Sequence, residues 1–391
     1  MAFKEADTPL EVVILIIGGM AMLITGTLLF PVHYGSLPYS ENGLFGLLLL
    51  IFSLQMILLG KTPFGDLPKT KSLLVVGIVI AVVGILTCCI PISTQLPQIL
   101  LALCFGPGGL FLFLKMCFAK NMLRSWTTKG GIFRHLLVGC GLTYGFSMLI
   151  GLILWKRNLF GTPGIAISVV LFGIAILYLA GVLWKLYGQY PEADMHPVGS
   201  VELSTDQTML LLMGVFMVIL GLLLIPVSVG FLPFSESAQL GLLMVIFAIQ
   251  MLAFGGTPIG TFPRSFPLIV CGLLFAALGI VSCIIPKMFV PLLTVLVGVL
   301  NIAGGVVSLG KIGVQRFLQQ ETPPTSTPPI LVRLLVTQLV LNLLAILFGS
   351  SMLIPGLVHG LVIGVVLSAN GFVLLYLLGI LVTLDQMKVG Q

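Results

Sequence analysis

The sequence predicts an all-α integral membrane protein whose twelve transmembrane helices form two parallel six-helix repeats, related by a pseudo-twofold axis along the membrane normal. Three observations lead there. Of 391 residues, 58% are hydrophobic and 8% are charged, whereas a soluble domain carries about a quarter charged residues. Apolar runs of about 20 residues recur, each long enough to cross a hydrocarbon core of about 30 Å at 1.5 Å per residue. A shift that lays Pro31 on Pro226 aligns Pro31–Pro91 with Pro226–Pro286 without a gap, and about 28 of the 61 pairs are identical, which shared hydrophobicity alone does not produce.

Taken in order, the chain opens on ten polar-rich residues with Glu5 and Asp7. The first span, Val12 to Val32, is too long for a signal peptide and recurs in mid-chain, so it is expected to be retained. Spans follow at Gly43 to Gly60, Leu73 to Ile90, Gln98 to Ala119, His135 to Leu154 and Gly164 to Leu186. Residues 1–188 form the first repeat, and the linker at 189–206 is the longest polar stretch. The second repeat, 207–391, has spans near Leu210 to Val227, Leu240 to Gly255, Leu268 to Ile285, Leu292 to Leu309, Leu331 to Ile354 and Leu357 to Leu384. Between the tenth and eleventh, Glu321 to Pro329 is a Pro/Thr connector that cannot be helical throughout. Beyond the gapless region, SMLI at Ser147 recurs at Ser351, and LYLAGVL at Leu177 recurs as LYLLGIL at Leu375. Six spans per unit put both units the same way up, as in transporters built from parallel repeats.

Charge sets the orientation. The side carrying both termini and the linker holds 15 of the 18 Lys and Arg, leaving Lys156, Arg157 and Lys287 opposite. That side is expected to be cytoplasmic. The formal charge of +6 is scattered over short loops, so a nucleic-acid partner is not expected. Seven cysteines lie in or at the ends of apolar runs, with no C-x-x-C pair and no Cys/His cluster. They read as small packing residues, with no metal or cofactor expected.

Glycines seven apart mark one helix face in four spans: Gly19/Gly26, Gly77/Gly84, Gly214/Gly221 and Gly272/Gly279. Seven residues are close to two turns, so each pair lets another helix approach. The run GLLFAALGIVSCIIPKMFVPLLTVLVGVLNIAGGVVSLGK, Gly272 to Lys311, combines this face with a Pro at the outer turn and a second helix carrying Gly298 and Gly304. It resembles the hairpin unit of the HdeD family, small six-span membrane proteins associated with bacterial acid resistance. The resemblance implies that each half is one HdeD-like unit. It further implies a non-enzymatic protein of the bacterial inner membrane, with a role in envelope or acid stress and the lipid bilayer or other membrane proteins as partners. This chain departs from the family in being two units fused and in its TPxGxxP turn, and the family supplies no agreed catalytic residues.

Polar residues and turn punctuation concentrate in one copied stretch, QMILLGKTPFGDLPKT from Gln55 and QMLAFGGTPIGTFPRS from Gln250. Pro fixes φ, Gly permits φ > 0 and Thr can cap N–H groups, which makes a rigid turn between antiparallel helices. Gln55, Gln250, Thr62 and Thr257 are also candidates for a polar gate or ligand site, with Lys69 or Arg264 at its mouth, since a polar side chain in a span usually faces protein or a cavity. On the other side, LPYSE at Leu37 recurs as LPFSE at Leu232. Ser before an acid and an apolar run is a helix-start signal. Glu41, Glu236, His33 and His359 form the alternative reading, an outward acid-responsive set.

Absences narrow the function. No Asp, Glu, Lys or Arg falls near the middle of a predicted span, which disfavours a proton- or sodium-coupled pump. No nucleophile–base pairing, HExxH or Walker motif appears, so an enzyme is not expected. Three readings remain: the HdeD-like stress protein, a channel or facilitator for a neutral or weakly polar solute with a path between the halves, and an accessory subunit of a larger membrane complex.

Overall fold

A computed structural model describes residues 9–91, 94–118, 130–156, 160–190, 204–257, 259–262, 265–319, 329–354 and 359–389. Among them, twelve helices are long and apolar enough to cross a membrane. They are α1 (Leu10–His33), α2 (Glu41–Leu54) with the π-helical turn that continues it to Leu59, α3 (Lys71–Cys89), α4 (Gln95–Phe118), α5 (Ile132–Trp155) and α6 (Thr162–Gln189). Then come α7 (Thr205–Ser228), α8 (Glu236–Phe254), α9 (Phe266–Ile284), α10 (Val290–Gln319), α11 (Pro329–Leu353) and α12 (Gly360–Val389). Each coincides with one of the spans expected from the apolar runs, most with ends shifted by a few residues; the second expected span is completed by the π-helical turn, and α10 runs on ten residues past Leu309. This is a multi-pass membrane protein.

The helix starts follow local chemistry. Ser40 accepts a hydrogen bond from Gly43 N–H and caps α2, and Ser235 accepts from Ala238 N–H at the start of α8. Thr70 accepts from Leu73 N–H at the start of α3. Ser204 opens α7 with a reciprocal capping box to Gln207. Each side chain satisfies one of the N–H groups that a helix start leaves without a partner.

The chain forms two compact units. One comprises Met1–Glu202, Ser235–Phe254 and Arg264–Met288, and the other Leu203–Phe234, Gly255–Pro263 and Phe289–Gln391. The first unit therefore holds α1–α6 together with α8 and α9. Within it α1 lies along α6, α2 along α3, α4 along α5 and α8 along α9. In the second unit α7 lies along α12 and α10 along α11.

Inside the first unit two backbone bonds tie α2–α3 to α8–α9: Ser40 N–H donates to Ile284 O at 2.9 Å, and Ser235 N–H donates to Cys89 O at 2.9 Å. Adding 195 to each number of the first bond's donor and the second bond's acceptor gives its mate. The approach is close enough that a Cβ on Gly43 would stand 1.8 Å from Cys283 O. Hairpin α8–α9 thus packs with the first-repeat helices, although the sequence boundary between repeats lies in the polar linker.

The seven-residue glycine spacing has a single meaning in all four helices. Gly19 and Gly26 meet Leu177 and Val170 of α6, and Gly77 and Gly84 meet Ile57 beyond α2 and Gly46 of α2. Gly214 and Gly221 meet Leu375 and Ser368 of α12, and Gly272 and Gly279 meet Leu252 and Gly241 of α8. Each pair faces one partner, and a Cβ at any of them would fall within 3.0 Å of that partner. Lipid tails are as apolar as leucine, so such close helix packing supplies association that hydrophobicity cannot.

Candidate functional site

The copied turn folds as a miniature hairpin twice. Strand β1 (Lys61–Thr62) pairs antiparallel with β2 (Gly65–Asp66), and β3 (Gly256–Thr257) with β4 (Gly260–Thr261). Thr62 Oγ1 donates to Gly65 O and Thr257 Oγ1 to Gly260 O, both at 2.7 Å. Gly60 and Gly255 exit their helices at φ 70° and 66°, the left-handed region that glycine enters without penalty. Against each turn lies a lysine: the Nζ atoms of Lys115 and Lys311 stand 3.3 Å from where a Cβ on Gly65 and Gly260 would be. What both copies share is the architecture of a turn. Burial lowers the pKa of Lys69 in the first turn, while Arg264 lies outside the described residues.

Beside the first copy lies a cavity. A partly open space of about 310 Å³ lies among α1, α2, α4, α5, α6 and the first turn. Along α1 its lining runs from Glu11 to Met22, about 16 Å of helix and so roughly half of a 30 Å hydrocarbon core. At one end stand Glu11, Lys61, Asp66 and Lys115; Gln55, Thr143, Tyr144 and Ser147 line the walls; Phe52, Phe105 and Phe172 contribute the aromatic part. The three rings touch edge-on, with centroids 5.1 Å apart for Phe52–Phe105 and 5.7 Å for Phe105–Phe172, a favoured arrangement.

Glu11 is the most constrained polar group there. Its side chain is 9% exposed and ion-paired through Oε1 to Lys61, whose own side chain is 30% exposed. Tyr187 Oη donates to Glu11 Oε2 at 2.6 Å. A carboxylate this buried is tolerated because two donors meet it, one of them charged. The pair ties the turn to α1, and Tyr187 ties both to α6. Ser147 spends its hydroxyl on Phe105 O at 2.9 Å, which joins α5 to α4 at the cavity wall.

Gln55 opens a five-residue π-helical turn, Gln55–Leu59, that ends at Gly60. Widened turns of this kind are frequent at functional positions. The copy, Gln250, lies in regular α-helix and is not among the residues lining the cavity. Thr62 lines the cavity, and Thr257 serves its own turn. The acid-responsive candidates occupy span ends. Glu41 and Glu236 sit in the first turns of α2 and α8. His33 packs against Tyr34 at the end of α1, the rings tilted by 60° with centroids 5.5 Å apart. His359 precedes α12, where its Nδ1 accepts from Leu361 N–H at 3.4 Å. Among the described residues no group of three or more His, Cys, Asp or Glu could hold a metal ion.

Glu11, Tyr187 and Tyr144 were not singled out by the sequence reading. A signal was present in the aligned halves. By the 195 shift Gly18 corresponds to Met213, Glu11 to Asp206 and Lys61 to Gly256; by the SMLI match Thr143 and Tyr144 correspond to Leu347 and Phe348. Gly18, Lys61, Thr143 and Tyr144 thus give way to other residue types, while Glu11 keeps an acidic equivalent and Gln55, Thr62 and Ser147 recur unchanged as Gln250, Thr257 and Ser351, against a background in which the turns and glycine faces agree. Comparison with protein-family models, with curated proteins and with solved structures gives no significant match.

Proposed function

We propose that the protein is a membrane facilitator or carrier that takes one small polar organic solute into the first-half cavity. The observation that carries this reading is the cavity itself: its volume of about 310 Å³ is in the range of small-molecule sites, which are mostly apolar with a few placed polar groups. Its reach of about half the membrane suits a vestibule closed by Phe52, Phe105 and Phe172. The second half keeps the same turn and helix faces but has Met213, Gly256, Leu347 and Phe348 where the first has Gly18, Lys61, Thr143 and Tyr144, which supports a division between a working half and a scaffolding half.

Two parallel six-helix repeats fit this role and are supported by the 195-residue alignment, by the recurrence of first-with-sixth, second-with-third and fourth-with-fifth helix pairing, and by the reciprocal bonds at Ser40 and Ser235. Lysine and arginine distribution supports a cytoplasmic mouth. The acid-stress role implied by the HdeD resemblance rests on the hairpin pattern and has no residue set that the cavity adds to. The test is a thermal-shift screen of the purified protein against small polar metabolites, followed by flux of each hit into proteoliposomes. A solute that both stabilises and crosses supports the proposal. Liposomes tight to every stabilising compound would make the cavity a binding or structural feature only.

A further inference from the structure

The geometry points to a zwitterionic solute with a compact apolar side chain, such as an amphiphilic amino acid, as the ligand of this cavity. The inference rests on the reading of the cavity as a solute site and specifies its chemistry. Four charged side chains line it, Glu11 and Asp66 against Lys61 and Lys115, so the formal sum is zero. A solute carrying one net charge gains little long-range attraction there and loses its hydration. A dipolar solute can satisfy both signs at once.

The Glu11–Lys61 pair has capacity left for this. An ammonium offers three donors and a carboxylate about four acceptor positions, and on Glu11 one position is used by Lys61 and one by Tyr187. A substrate carboxylate on Lys61 and a substrate ammonium on Glu11 would close a ring of four alternating charges, each interaction shielded from water on the protein side. Beyond the charges, Phe52 and Phe105 offer apolar surface for a side chain. Lys115 does not discriminate, because its equivalent Lys311 holds the same place at its own turn. Lys61 does discriminate, because its equivalent is Gly256.

The experiment uses the full-length protein in nanodiscs and four probes that share leucine's isobutyl side chain: leucine, 3-methylbutylamine, 4-methylpentanoate and 4-methylpentanamide. Binding is titrated by calorimetry at fixed ionic strength. Leucine is expected to bind about tenfold or more tightly than any of the other three, the discrimination that one lost charged hydrogen bond produces. Lys61→Met should erase the advantage of leucine over the amine, and Glu11→Gln its advantage over the acid. Equal binding of leucine and a singly charged or neutral probe would overturn the zwitterion assignment while leaving the cavity as a solute site. Absence of binding by all four would also overturn it, and the broader solute screen then decides the cavity reading separately. The wild-type probe series needs no variant to fold.

Discussion

Gly18 is where the cavity can be closed with least damage. It lines the space, and a Cβ added there would meet only Ile51 Cγ2 at 3.8 Å, an ordinary contact. Its equivalent in the second half is Met213, which is 9% exposed. Gly18→Met therefore installs the second half's own residue and directs it into the open volume. Replacing a mid-helix glycine gains about 0.7 kcal/mol in helix propensity. Burying most of a methionine side chain adds about 1–2 kcal/mol. The variant should be more stable than wild type by about 2 kcal/mol, a rise of several degrees in melting temperature, and should lose solute binding. Thermal unfolding in detergent and a titration on the same sample read both quantities. Wild-type affinity in Gly18→Met, or a variant that unfolds at lower temperature, would refute the placement of the solute beside α1.

Other consequences are equally direct. In a double-mutant cycle, Glu11→Gln and Lys61→Met should couple by about 1–2 kcal/mol, between surface and buried ion pairs because Lys61 is 30% exposed; additive unfolding energies would remove the pair from the account. Lys61→Met alone should cost more than Glu11→Gln, since it strands a buried carboxylate while the latter leaves an ammonium that water can reach. Gly43→Ala should destabilise by about 3 kcal/mol or prevent assembly, because its Cβ would overlap the Cys283 carbonyl oxygen. Gly181→Ala, with nothing within 4 Å of its Cβ, should instead stabilise by up to about 1 kcal/mol on the same melting assay.

The spans, their caps and the glycine faces were legible because each depends on short-range sequence: a run of apolar residues, a Ser before a polar residue, glycines two turns apart. Gly19 and Gly26 predicted that another helix comes close, and α6 does. Which helix it would be was not legible, since the spacing is the same whichever partner fills it. The cavity was hidden for a related reason. Its lining comes from five helices and a turn, and in sequence Glu11 looks like the last residue of a polar leader while Tyr187 looks like an interfacial aromatic. Only α1 and α6 lying together make them neighbours. The π-turn at Gln55 was equally hidden, because QMILLG and QMLAFG differ too little to show that one widens and the other stays regular. Comparing the halves for where they disagree, instead of where they agree, would have pointed to Gly18, Lys61 and Tyr144.

The most direct measurement is an electron cryo-microscopy map of the protein saturated with the solute that its thermal-shift screen selects. The account predicts density for one molecule between Lys61 and Phe105, in contact with Glu11 and bounded by Gly18. An empty cavity with the solute bound anywhere else on the chain would contradict it.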